Sequence, residues 1–370
     1  MMQFAFELRK VIFSKKLLYV YLFIFLGVAL LFIRNVTFQP YIEKEENERI
    51  GALIQQSQSL NRMYTAALEN NPDDEETNKL RLINSSMLTK LYEIRAIDME
   101  KWKNKLPIEN AFLEETLHFK EQGGEYDLPV GEINKMLAKN HKHLSENVKP
   151  RHATYGIALP NFLKLVVDLF MNFGAIIILV ILIGEIMTSE FETHSINFLY
   201  TQPVNKGNII TGKFFSSILV YFLTVIVLLT ATVLVGLFGF KGKYHYPIMI
   251  ERNGEIDFIT IVQYVGQGLT VISVTAIMVI ALLLVYSLLF KHTLSTIFAL
   301  LATLVAGYGL SAFIKWPFFF WLNPFQYLLP EERLLVRNGT DWYQGIPVIL
   351  LVTVVLFFIA RMKIETSRVN

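Results

Sequence analysis

Phe214–Gly236 reads FFSSILVYFLTVIVLLTATVLVG, a run with no Asp, Glu, Lys or Arg. A hydrocarbon layer of about 30 Å is crossed by roughly 20 residues of helix. Backbone groups find no water there, so such a run rests in lipid only as a helix that closes its own hydrogen bonds. Leu269–Phe290 is a second uncharged run of this kind. Working outward, 17–33, 162–183, 293–313 and 346–360 complete a set of six apolar blocks. A hydrophobic fraction of 53% alone would decide little, because soluble domains are about half apolar. Its concentration in blocks predicts an all-α integral membrane protein with six transmembrane helices.

The first block follows Arg9, Lys10, Lys15 and Lys16 and ends Leu31-Phe32-Ile33-Arg34-Asn35, without the small residues of a signal cleavage site. It reads as a retained span. Ahead of it, Phe4, Leu8, Val11 and Ile12 recur at helical spacing around Glu7, Arg9 and Lys10. Residues 1–16 are therefore predicted to form an interfacial amphipathic helix, although an ordinary basic flank reads the same way.

Residues 34–159 hold 17 Lys/Arg and 20 Asp/Glu and no membrane-length apolar run, so a soluble domain is inserted between the first two spans. Apolar residues three or four apart predict helices over Ile50–Leu68, Leu80–Ile94, Ile108–Phe119 and Val130–Leu144. Asn71-Pro72-Asp73-Asp74 breaks the first pair and offers Asp to the next helix start, and Gly123-Gly124 marks a later turn. The chain has no cysteine, so this domain is stabilised by packing alone. His141 and His143 fall on different helical faces and read as surface residues, not metal ligands. The triplets at Asn35, Asn84 and Asn338 match the glycosylation pattern, which chance produces readily.

Basic residues set orientation. The amino-terminal flank, Lys206 and Lys213, Lys291, and Arg361, Lys363 and Arg368 all share one side if the amino terminus is inside. Both termini (1–16 and 361–370) and 184–213 are then cytoplasmic, whereas 34–159, the 237–268 loop and the aromatic, partly re-entrant 314–345 segment are extracellular. With a net charge of +2 and no basic tract apart from these flanks, no nucleic-acid partner is expected.

The 184–213 connection carries the functional expectation. Ile196, Phe198, Leu199 and Tyr200 cluster before Pro203, with Glu190 and Lys206 flanking them. A short amphipathic helix closed by a Pro turn would give a cytoplasmic partner something to grip, and a membrane-lying loop without a partner would look similar. Within it, Gly207–Lys213 imitates a nucleotide-binding glycine loop, G-x-x-x-x-G-K. Phe214 stands where Mg²⁺ coordination needs a hydroxyl, and no strand precedes, so ATP binding is rejected. Lys164 and Asp168 lie four apart on one face of the second span and are placed to pair. A carboxylate facing lipid is costly, so Asp168 is also a candidate for a substrate path or dimer interface. Gly307 and Gly309 offer close helix contact in span five, and Trp316, Trp321 and Tyr327 suit an interfacial belt.

The order Glu190, Thr193–Ser195, Leu199, Gln202-Pro203-Val204, Asn205-Lys206-Gly207 and Lys213, followed later by Asn323-Pro324, resembles the permease subunits of type-2 ABC exporters. That broad family includes bacterial drug, bacitracin and lantibiotic-immunity permeases. Two departures stand out: Thr193-His194 replaces a more usual Gly-Thr, and Asn205-Lys206 displaces an Arg after the Pro turn. The resemblance implies coupling to the ATPase through Glu190, Phe198, Leu199, Tyr200, Pro203 and Lys206, with Asp168, Asn323 and Pro324 at the path or dimer interface. It implies no catalytic residue, cofactor or metal in this chain, with ATP and Mg²⁺ bound by separate cytoplasmic ABC ATPase subunits. A second permease copy or paralogue would complete the path in a bacterial plasma membrane. An antimicrobial peptide, drug or lipid-like compound would be the substrate, and an extracellular peptide or accessory protein a further partner. From the residues alone, a non-transporting receptor or scaffold and an ion-coupled transporter stay open, although the central spans show neither the clear repetition nor the charge cluster of the latter.

Overall fold

A computed structural model describes residues 2–201, 205–313, 322–337 and 341–366. The chain divides into two compact units, residues 33–156 and the remainder. The amino terminus forms α1 (Met2–Ile12), with Arg9 and Lys10 in its last turn where the helix dipole favours cations. Ser14 Oγ then accepts the Leu17 amide at 3.2 Å and starts the apolar helix α2 (Lys15–Thr37).

The 33–156 unit consists of α3 (Gln39–Asn70), α4 (Glu75–Ala96), α5 (Trp102–Glu121) and α6 (Val130–Ser145). Met87, Leu91, Leu113, Phe119 and Ile133 form its core, each at most 1% exposed. Asp74 accepts the Thr77 amide at 3.0 Å and caps α4, the role its place after Asn71-Pro72 implied. Helix α3 begins well before the predicted Ile50. Its first turns are held by Lys44–Glu48 and Glu46–Arg49 pairs at helical spacing and have little apolar periodicity to read. Asn84 is buried and donates to the Ser57 carbonyl at 2.8 Å, and Asn35 donates to the Gly156 carbonyl at 3.3 Å. Both triplets are structural positions in this fold, and the third, Asn338, lies outside the described residues. His143 corrects the surface reading: it is fully buried, with Nδ1 3.1 Å from the Val148 carbonyl.

The other unit continues with α7 (Leu159–Leu169), a π-helical turn at Phe170–Gly174 and α8 (Ala175–Ile183). The uninterrupted span expected at 162–183 is thus bent, by 57° between Leu159–Asn172 and Ala175–Glu192. The wide turn is the cause, with the Ala175 amide reaching back to the Phe170 carbonyl. Short helices α9 (Thr188–Glu192) and α10 (Ile196–Thr201) lead to α11 (Lys206–Gly236). Then come β1 (Pro247–Arg252), β2 (Glu255–Thr260), α12 (Ile261–Phe290) and α13 (Thr293–Phe313). A 3₁₀ turn at Pro324–Leu328, α14 (Pro330–Leu335), β3 (Val336–Arg337) and α15 (Ile346–Thr366) complete it.

Among the described residues five helices, α2, α11, α12, α13 and α15, are long and apolar enough to cross a membrane, and the bent pair makes a sixth span if taken as one. The protein is a multi-pass, mostly α-helical membrane protein. Helix α12 is central: 72% of its most apolar stretch is buried, against 44% for α11 and 22% or less for the other three. Gly268 is part of the reason, since a Cβ there would stand 2.0 Å from Met171 Sδ in the π turn.

The helical architecture also carries one small sheet. The region expected to be a plain loop, 237–268, contains an antiparallel hairpin, with β3 added parallel to β1 in the order β2-β1-β3. Asn253 (φ 53) and Gly254 (φ 84) make the two-residue turn, the pair that supplies two left-handed residues most readily. Gly254→Ala is expected to cost about 1 kcal/mol through left-handed strain, read as a lower thermal midpoint, whereas Asn253→Gly should leave it nearly unchanged. Helix α12 starts at Ile261, ahead of the predicted 269, because Thr260 and Gln263 form a reciprocal capping box. Helix α15 likewise continues past 360 to Thr366, while Trp342 and Tyr343 precede it.

Candidate functional site

Lys213, in the second turn of α11, is fully buried, and its ammonium has three acceptors for its three protons. Glu190 Oε1 of α9 lies at 2.6 Å, the Ile186 carbonyl at 2.9 Å and Glu7 Oε1 of α1 at 3.1 Å. Glu7 and Glu190 are themselves only 5% exposed, and the second carboxylate oxygen of each has no hydrogen-bond partner among the described residues. Lys10 reaches Glu190 at 3.5 Å from a half-exposed position. One buried cation thus joins three elements distant in sequence: the amino-terminal helix, the 184–205 connection and the start of α11.

The same short segment is fastened elsewhere. Thr188 and Thr293 share a hydroxyl hydrogen bond at 2.6 Å, and Glu192 Oε1 accepts the Thr293 amide at 2.7 Å, capping α13. Lys291 lies 5.9 Å from the Phe191 ring centroid, and Lys16 pairs with Glu185 at 3.1 Å. Lys291 also ends α12 in a left-handed conformation (φ 59), which makes the predicted tight turn to α13. At the start of α11, Asn205 Oδ1 accepts the Gly207 amide at 2.8 Å. A Cβ on Gly207 would stand 2.4 Å from Glu365 Oε1 of α15. The ends of α8, α12 and α15 and the starts of α2, α11 and α13 therefore meet at one end of this unit, beside α9.

This geometry explains the false glycine loop. Residues 207–213 are helical, and the Lys213 ammonium is already saturated, so neither the loop nor the free cation that phosphate binding needs is present. Glu190 of α9 and Glu7 of α1 are joined through Lys213 by charge-assisted bonds in a dry setting, which resist stretching. Among the described residues, no three His, Cys, Asp or Glu side chains gather where they could hold a metal ion.

Of the residues expected at a coupling surface, Glu190 is inside this junction. Phe198 is 68% exposed on α10, and Ile196 beside it is buried. Leu199 and Tyr200 fall within α10, but their side chains, like Pro203, lie outside the described residues. Lys206 is the first residue of α11. His194 takes a left-handed backbone (φ 55) just after α9, the position where a helix most often places glycine. Sequence reasoning does not bring Glu7 and Lys213 together: the first reads on the polar side of an interfacial helix, and the second as a basic flank, a family-like position and a counterfeit phosphate ligand. A lone acid in a basic interfacial helix and a lone lysine entering an apolar run were the available signals.

The three residues expected at a path or dimer interface separate into two places. Lys164 and Asp168 pair at 2.6 Å, and the same ammonium stands 4.7 Å from the ring centroid of the buried Tyr264. Asp168 Oδ1 and the Tyr264 hydroxyl have no hydrogen-bond partner among the described residues. Asn323 instead caps the 3₁₀ turn that Pro324 begins, accepting the Phe325 amide at 3.0 Å and donating to the Gly307 carbonyl at 3.2 Å. Gly307 receives the Phe325 ring rather than another helix, and Gly309 has no neighbour close to where its Cβ would be. Tyr327 is 3% exposed and packs with Val271, Met278 and Ile349, so it is a core residue and not part of an interfacial belt. Trp316 and Trp321 lie outside the described residues.

No curated protein and no solved structure matches the chain. One family model, described as ABC-2 family transporter protein, matches residues 2–324, a stretch that takes in the whole 33–156 unit and every member of the Lys213 junction. With most of its length matched, and with long apolar helices among its described residues, the chain belongs to the ABC-2 family of membrane transporters.

Proposed function

We propose that this protein is the permease of an ATP-driven exporter, coupled to separate cytoplasmic ABC ATPase subunits through α9, α10 and the Lys213 junction. The observation that carries this reading is the triad of Glu7, Glu190 and Lys213, which fastens the connection between spans two and three to α1 and α11. Lys16, Lys291 and Arg361 stand at the same end of the bundle, so the positive-inside rule makes that end cytoplasmic and the 33–156 unit extracellular. ATP and Mg²⁺ belong to the partner. ATPase closure pushes on α9 and α10, and the junction carries the push into α11 and α1, changing access to a path completed by a second copy or paralogue. Lys164, Asp168 and Tyr264 provide a polar patch at the opposite end of α12, where such a path would open. The resemblance to drug, bacitracin and lantibiotic-immunity permeases supports an amphipathic substrate such as an antimicrobial peptide, drug or lipid-like compound, and a role in antibiotic resistance.

Replacing Phe198, Leu199 and Tyr200 together with serine is expected to reduce ATPase copurification about tenfold or more while membrane insertion is retained. Unchanged copurification and transport would remove the coupling assignment. Absence of ATP-dependent flux in the reconstituted complex, with the ATPase bound, would favour a non-transporting receptor.

A further inference from the structure

The 33–156 unit contains a cleft of about 440 Å³, within the size range of small-molecule sites. Trp102, Leu106 and Met136 give it an apolar wall. Its charged lining is five basic residues, Arg49, Lys105, Lys139, Lys149 and Arg151, against three acids, Glu45, Glu46 and Glu109. Residues 34–159 as a whole have the opposite balance, 17 basic against 20 acidic, so positive charge is concentrated here.

The acids are largely engaged. Arg49 holds Glu46 at 3.1 Å and Glu109 at 3.0 Å, and Lys105 holds Glu46 at 3.2 Å. Lys149 pairs outside the lining, with Glu100 at 2.6 Å. Lys139 forms no salt bridge among the described residues, although Glu109 and Arg49 are near enough to act on its ammonium, and much of its side-chain surface is accessible. The next residue, Asn140, also lines the cleft, is only 8% exposed, and its Nδ2 has no hydrogen-bond partner among the described residues. A buried amide donor left unmatched is costly and uncommon in a native fold. Beside an ammonium held in no salt bridge and an apolar wall, it calls for acceptor oxygens that carry negative charge on an apolar body.

We propose that this cleft binds an organic phosphate, with phosphate oxygens on Asn140 Nδ2 and the Lys139 ammonium and the organic part against Trp102 and Met136. This site is independent of the coupling reading. The phosphate belongs either to a lipid headgroup or to a soluble ester.

The test uses the full chain in phosphatidylcholine nanodiscs, titrated calorimetrically with phenyl phosphate. Inorganic phosphate and phenol each supply half of the chemistry and are expected to bind about tenfold or more weakly. Lys139→Gln and Asn140→Leu are each expected to weaken phenyl phosphate about tenfold or more. Asn140→Leu should also leave the empty protein at least as thermostable as the parent, because it removes an unmatched donor. Lys139 is exposed, so its variant tests the site even if the Asn140 variant fails to fold. Equal affinity in the parent and the Lys139 variant, or no binding at about 10 mM probe, overturns the proposal, since a site of this chemistry should capture the probe well below that concentration. Weaker apparent affinity in phosphatidylglycerol nanodiscs would identify a lipid headgroup as the natural occupant; unchanged affinity would identify a soluble ester.

Discussion

Lys213→Met is expected to be the most damaging single substitution in the membrane unit, lowering stability by about 3–5 kcal/mol. Lys213 is fully buried between two carboxylates that are themselves almost fully buried. Removing the cation leaves both acids without their short contact, and Lys10, at 3.5 Å from Glu190 only, cannot replace it. The loss should appear as a lower thermal midpoint of the detergent-purified protein followed by size-exclusion chromatography. A midpoint equal to that of the parent would show that the triad is not the lock described here. The triple variant Glu7→Gln, Glu190→Gln, Lys213→Met separates pinning from transmission. It removes every buried charge at once, and such replacements are often neutral or stabilising, so folding should recover. ATP-driven transport should not recover with it if the triad carries the motion of α9. Full recovery of both would reduce the junction to a structural pin.

The membrane class, the position of the apolar blocks and the helical nature of the inserted domain were legible because each rests on a local pattern. A charge-free run of membrane length has one stable conformation in lipid, and apolar residues three or four apart mark a helix face. Asn253-Gly254 between Ile248, Ile250 and Ile256 was also readable as a hairpin, yet the proximity of charged residues made the stretch look like a loop. The junction was not legible. Glu7, Glu190 and Lys213 are brought together by the packing of α1, α9 and α11, and no periodicity within any one segment records that meeting. The bend at Phe170–Gly174 was hidden for a related reason. Its sequence is as apolar as a straight span, and the partners that settle it, Gly268 and Glu331, lie far along the chain.

The 33–156 unit is expected to lose stability as the pH falls from about 6.5 to about 4, and His143 is the reason. Burial pushes its imidazole down to about 4, and nearby Lys139 adds to the shift, outweighing the Val148 carbonyl and Glu146, which favour the protonated ring. An unfolded histidine titrates near 6.5. Between those two values the unfolded chain takes up a proton that the folded domain refuses, so acidification favours unfolding; below about 4 both states are protonated and this contribution no longer changes. Allowing for partial solvent screening, the loss is on the order of 2 kcal/mol, or about thirtyfold in the opening equilibrium. Glu46 acts in a separate window. Burial raises its carboxyl, but Arg49 and Lys105 outweigh burial and hold it below the ordinary range. Its stabilisation is therefore present above the usual carboxylate value and is lost only as the pH falls below it. Amide exchange of α4 and α5 in the intact protein, corrected for the intrinsic effect of pH, reads the first window directly. His143→Asn keeps a side-chain donor for the Val148 carbonyl but cannot titrate. It should flatten the dependence between pH 6.5 and 4 and leave the steeper loss at lower pH in place. If the variant and the parent show the same slope across that interval, the acid sensitivity belongs to other groups and the buried imidazole has no part in it.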